Sequence, residues 1–159
     1  ESQKHSSTLA LTRQNLPTVR TEYTSENLSA KGAYELAPAS GKAEITIFAS
    51  GSEVEIALDA REKLEKKGRK ARVVSVPSFE LFFGQDAAYR RKTIGDAPVR
   101  VAVEAAIRQG WDEFIGTDGK FVGMTGFGAS GKIEDLYPHF GITAEAVAEA
   151  AEKALAAKD

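Results

Sequence analysis

Two short apolar runs frame the clearest pattern in the chain. Glu44 to Ala49 (EITIFA) and Ala71 to Val76 (ARVVSV) are β-branched and aromatic, too short for stable helices and suited to a pleated surface. Between them Val54, Ala57, Leu58 and Leu64 recur at helical spacing. Ser52 and Glu55 read as a capping box at the start of that helix, and Gly68 as its left-handed stop. Two buried strands joined by a helix need a right-handed crossover, so they are predicted to lie parallel in one sheet.

The pattern repeats downstream. Ser78 caps a turn over Phe79 to Phe83, a small helix covers Gln85 to Thr93 and stops at Gly95, and Val99 to Ala105 is a third core strand. Gly110 to Ile115 gives one or two helical turns, and Gly119 to Met124 a fourth core strand. A glycine-rich loop, Gly126 to Gly131, leads into a helix over Ile133 to Phe140. Thr143 caps the last helix, stapled by Ile142 and Val147 and running alanine-rich to Ala157. Upstream, Gly32 to Leu36 reads as an edge strand closed by Pro38 and Gly41. Thr18 to Lys31 reads as a polar linker, and Thr8 to Thr12 as a short strand with no local partner. Together these predict an open, mostly parallel, mixed-edge five-stranded α/β sheet with helices on both faces.

Composition narrows the function classes. The 159 residues are 42% hydrophobic and 28% charged with a formal net charge of −2, which gives no electrostatic reason to expect nucleic acid or an anionic membrane as partner. No apolar run approaches the roughly 18 residues of a membrane span. The absence of cysteine excludes disulfides and thiolate metal sites and fits a cytoplasmic protein. The chain opens on Glu1, without an initiator Met or a secretory pattern, and is expected to be a piece of a longer polypeptide.

Candidate chemistry collects beyond the carboxyl ends of the strands, where open α/β sheets place ligands. Ser50-Gly51-Ser52-Glu53 meets a helix N-terminus and suits an anion, or is simply the turn that a βαβ unit requires. Gly126 to Gly131 with Lys132 suits a phosphate, or lets the chain turn. Glu104 is either a buried acid–base carboxylate, a helix cap or the partner of an arginine. His5 and His139 lie far apart in sequence and indicate neither a zinc site nor a nucleophilic triad.

Several stretches resemble the carboxyl-terminal part of transketolases: Leu11 to Pro17 (LTRQNLP), Ala49 to Val54 (ASGSEV), Val74 to Phe82 (VSVPSFELF), Arg100 to Glu104 (RVAVE), and Val122 to Gly131 (VGMTGFGASG), continuing through Leu136-Tyr137 to Phe140–Thr143. Deoxyxylulose phosphate synthase and the pyruvate dehydrogenase beta chain share the architecture, but the TRQNLP wording and the block ending GITAE favour transketolase. The resemblance implies transfer of a two-carbon ketol unit from a ketose phosphate to an aldose phosphate in the pentose phosphate pathway. It implies a homodimer using thiamine diphosphate with magnesium or calcium. It divides the chain into a remnant of the pyrimidine-binding domain (1–17), a linker and edge strand (18–42) and the C-terminal α/β domain (43–159). One family site residue falls within range, Arg13, which contacts the phosphate of the sugar substrate. The family's G-D-G motif, activating glutamate and ketol-handling histidines have no counterpart here. The fragment alone is therefore expected to be structural and inactive, with no cofactor or metal of its own. The alternative from another class is a small-anion or regulatory module binding near Ser52 and Gly128.

Overall fold

A computed structural model describes residues 6–158. Its sheet has five strands: β1 (Tyr34–Ala37), β2 (Ile45–Ala49), β3 (Ala71–Ser75), β4 (Val99–Glu104) and β5 (Lys120–Gly123). Their order is β1-β3-β2-β4-β5, with β1 antiparallel to β3 and the other pairs parallel. The expected mixed-edge sheet is therefore present. The helices are α1 (Glu53–Lys66), α2 (Phe79–Phe83), α3 (Ala87–Ile94), α4 (Asp112–Ile115), α5 (Ile133–His139) and α6 (Ala144–Ala156).

Right-handed crossovers decide which helix covers which face. The chain leaves β2 for β3 on one side, then returns past β2 to β4 and on to β5, so α1 and the α2–α4 group fall on opposite faces. One face is aliphatic: Ile45, Ile47, Val73, Val101 and Val103 pack against α1 and α6. The other is aromatic: Phe48, Val74 and Ala102 lie under Phe82, Trp111 and Phe114. Phe114 stacks on Phe82 at 4.9 Å between ring centroids, and the Trp111 ring lies 5.7 Å from Phe114. Burying such side chains contributes about 1.5–3 kcal/mol each.

Helix ends follow the sequence closely in most places. Gly68, at φ 78°, ends α1 in a Schellman motif, its N–H donating to the Glu65 carbonyl and that of Arg69 to the Leu64 carbonyl. Ser78 accepts from the Leu81 N–H and Thr143 from the Ala146 N–H. Ile142 and Val147 are both buried in the aliphatic core, as a staple requires.

Three expectations are corrected. The capping box at Ser52 does not form: Ser52 has helical backbone angles (φ −65°, ψ −27°), and its hydroxyl donates instead to the Glu53 carboxylate. Thr8–Thr12 forms no strand, because no strand among the described residues lies beside it to complete a ladder. The strand at Lys120–Gly123 is an edge strand rather than a core one; only Val122 in it is buried.

Candidate functional site

In an open α/β sheet the ligand crevice opens where neighbouring strands send their connections to opposite faces. Here that point lies between β2, which runs into α1 on the aliphatic face, and β4, which runs toward α4 on the aromatic face. The crevice is bridged by the chain's own side chains. Ser50, just past β2, donates to Glu104 Oε1 at 2.7 Å, and Trp111 Nε1 donates to Glu104 Oε2 at 2.6 Å. Glu104 is half-buried and Trp111 fully buried. Glu104 therefore neither caps a helix nor pairs with an arginine: both its oxygens take neutral donors, and it ties two strand ends to α4.

A second carboxylate closes the neighbouring position. Glu53, the first residue of α1, is 5% exposed. It accepts from the Ser52 hydroxyl at 2.7 Å and from the hydroxyl of Tyr137 on α5. Burial, followed by the Glu53 carboxylate that accepts its hydrogen bond, pushes the Tyr137 phenol above its ordinary value, with Ser52 and Gln14 pulling the other way. A helix N-terminus favours negative charge, and Glu53 supplies it from within. An external anion at Ser52 would have to displace or repel that buried carboxylate, so the geometry there supports a closed helix start.

The other sequence candidates do not converge. Arg13 is exposed, in a segment where Thr12 donates to Gln14 at 2.6 Å. The same segment continues over the strand ends: Leu16, Pro17 and Val19 line a groove of about 240 Å³ with Ser52, Ser75 and Pro77. Gly126, Gly128 and Lys132 are exposed, nothing lies within 4 Å of a side chain built at either glycine, and Phe127 between them is 99% exposed. His139 is exposed and meets Phe140 edge-on at 4.8 Å. His5 lies outside the described residues. Among the described residues no three His, Asp or Glu side chains gather as a divalent metal needs, and no helix is long and apolar enough to cross a membrane.

Tyr137 and Trp111 were not among the residues that the sequence pointed to. Tyr137 gives its polar hydrogen to a carboxylate on α1, a pairing that exists only once the elements are packed, whereas Trp111 meets Glu104 across the single loop from β4 to α4, where no spacing rule announces the bond.

Fold and site together define an α/β domain with a mixed five-stranded sheet whose switch-point crevice is filled from within. Residues 32–143 match the model for the transketolase-like TK C-terminal domain, and the chain belongs to that family. It is 60% identical to a transketolase of Sinorhizobium medicae over 92% of this chain and 21% of that protein. A transketolase mutant from Pichia stipitis superposes with a TM-score of 0.81 at 39% identity, over 91% of this chain and 20% of the other. The transketolase from the same organism in complex with sedoheptulose-7-phosphate superposes with a TM-score of 0.74 at 38% identity, over 80% of this chain and 18% of the other. The chain thus spans about one fifth of the length of the relatives it matches.

Proposed function

We propose that this chain serves as the C-terminal domain of a cytoplasmic, homodimeric transketolase, which moves a two-carbon ketol unit between sugar phosphates. In this reading the fragment carries no catalytic centre. Thiamine diphosphate and its magnesium or calcium ion are held by parts of the enzyme outside these residues. The observation that carries the reading is the filled crevice: at the point where an open α/β sheet would take a ligand, Ser50 and Trp111 already occupy both oxygens of Glu104. Among the described residues no three His, Asp or Glu side chains gather as ligands for the ion that would accompany the diphosphate, which supports the same reading.

The division at residues 1–17, 18–42 and 43–159 belongs to the same proposal, with 1–17 as the end of a preceding domain. Leu16 and Pro17 lie against the strand-end loops of the sheet, which supports a first segment that joins the two domains. Arg13 is its one substrate contact. An exposed guanidinium can grip a sugar phosphate through paired hydrogen bonds, and Thr12 and Gln14 hold each other on either side of it.

The test is a chimera in which this chain replaces the corresponding part of the full-length Sinorhizobium medicae enzyme. Ketol transfer is expected to persist. Arg13→Ala is expected to raise the KM for the sugar phosphate roughly 10- to 100-fold, the range of one charge-assisted contact, with a smaller change in kcat. An inactive but folded chimera, or an unchanged KM, would overturn the respective part.

A further inference from the structure

The amino-terminal end of the sheet carries a polar row that the proposed function does not use. Thr46 on β2 is in register with Arg72 on β3 and with Arg100 on β4. The three share the aromatic face, one row below Val74, Phe48 and Ala102. With strands about 4.8 Å apart, the two arginines start roughly 10 Å from each other across Thr46.

Part of this row has an ordinary explanation. Arg72 Nη2 donates to the Thr93 carbonyl, and Arg100 Nη2 to the Gly95 carbonyl at 2.9 Å. Cations at the last turn of α3 are where the helix dipole favours them. Gly95, at φ 73°, lets the Arg72 guanidinium come close; a Cβ there would meet its Nη1 at 2.8 Å.

That role accounts for one nitrogen of each guanidinium. Arg100 Nε is buried with no hydrogen-bond partner, and no carboxylate pairs with Arg100 among the described residues. Thr46 is fully buried, and its Oγ1 has no partner either. Arg72 Nε lies 3.2 Å from Glu35 Oε2 without the alignment of a hydrogen bond. Such groups are uncommon, and a water or a small shift of the side chains would complete them; being sealed from solvent, they leave the Nη ends of the guanidiniums as the part that a bound group can reach. Arg72 and Arg100 line a recess of about 600 Å³, joined at its rim by the exposed Arg91 and Lys92 and by Asp96. Four cations face two carboxylates, Glu35 and Asp96, a surplus of two positive charges (4 − 2). Burial and the neighbouring Arg100 hold the Arg72 guanidinium below its ordinary value, against the pull of Glu35 and Asp96.

We propose that this recess is a binding site for a phosphate group, gripped by Arg100 and Arg72 and steered in by Arg91 and Lys92. A tetrahedral dianion matches both the charge surplus and the several donors around the recess. Free phosphate and the phosphoryl group of a small metabolite share this chemistry. The site lies at the opposite end of the strands from Ser50 and Glu104 and does not depend on the transfer reading.

The test is a nuclear magnetic resonance titration of this chain with inorganic phosphate, following backbone amides and the arginine Nε–H signals, with a parallel titration of ribose 5-phosphate. Saturable shifts are expected at Gly95, Asp96 and the Arg100 Nε–H. The double substitution Arg91→Gln, Lys92→Gln, confined to exposed positions, is expected to weaken binding about tenfold. Arg100→Gln is expected to abolish it, and the rim variant keeps the test valid should Arg100→Gln fail to fold. Equal affinity for both probes would assign free phosphate. Tighter binding of the ester, with shifts spreading to Ile94, would assign a phosphorylated metabolite. Shifts matched by sodium chloride at equal ionic strength, or confined to Arg13–Pro17 and Ser52, would overturn the proposal. Because shifts at Arg13 report the substrate contact separately, failure at one place is distinguishable from failure at the other.

Discussion

The two ends of the sheet hold opposite charges and treat them differently. At the carboxyl end the partly buried charges are carboxylates, and neutral donors meet them: Ser50 and Trp111 for Glu104, Ser52 and Tyr137 for Glu53. At the amino end they are guanidiniums that cap α3 yet leave Arg100 Nε and the Thr46 hydroxyl without partners. A buried group that has all its hydrogen bonds holds elements in place, whereas one that lacks a partner calls for a water, an ion or a ligand to complete it. In this domain the crevice between β2 and β4 is filled by its own side chains, while a recess of about 600 Å³ lies beside the arginines at the other end.

The sharpest way to break the contrast is at Trp111. Trp111→Ala empties a fully buried site and is expected to destabilise the chain by about 3–5 kcal/mol in urea unfolding. Trp111→Phe keeps most of the packing and removes only the donor to Glu104; about 1–2 kcal/mol is expected. Near-equal losses for the two variants would mean that the indole N–H, not the ring volume, dominates.

Glu104→Gln is expected to cost about 1–2 kcal/mol, because the amide oxygen can accept from Trp111 and its NH₂ donate to the Ser50 hydroxyl, but both bonds lose the strength that the carboxylate charge gives them. Differential scanning calorimetry checks this.

Tyr137→Phe is smaller, about 1 kcal/mol near neutral pH, and carries a pH signature. The Tyr137 phenol is raised in the folded chain, so its contribution is fully present below the ordinary tyrosine value of about 10. It is lost as pH rises through the folded value. The wild-type chain should therefore lose stability in that alkaline window more steeply than Tyr137→Phe. Parallel slopes would contradict the buried contact with Glu53.

Arg100→Gln is expected to have the smallest effect in phosphate-free buffer, within about 1 kcal/mol, since it exchanges one capping bond for a solvated carbonyl. Adding phosphate should widen its gap from wild type, while the Glu104 and Tyr137 variants should respond to phosphate as the wild type does. Thermal unfolding with and without phosphate reads this directly.

Much of the fold was legible because it rests on local chemistry. The β-branched runs at Ile45–Ala49 and Ala71–Ser75, Gly68 at the end of α1 and Thr143 at the start of α6 act within a few residues of themselves. Ser52 misled because a capping serine needs extended backbone, and the turn after β2 leaves it helical. Thr8–Thr12 misled because strand propensity does not supply a neighbour. The Arg72–Thr46–Arg100 row was invisible for a different reason: it exists only through the register of three strands, and nothing in the spacing of those residues announces it. Ser50 as the partner of Glu104 and Tyr137 as that of Glu53 were hidden in the same way, by distance along the chain.

The most direct test of the account is isothermal calorimetry of this chain with thiamine diphosphate and magnesium, run beside a coupled ketol-transfer assay. The account predicts no saturable heat and no turnover, because the crevice of the sheet is filled by Ser50, Glu104 and Trp111. Saturable cofactor binding with turnover would place the catalytic centre within these residues and contradict it.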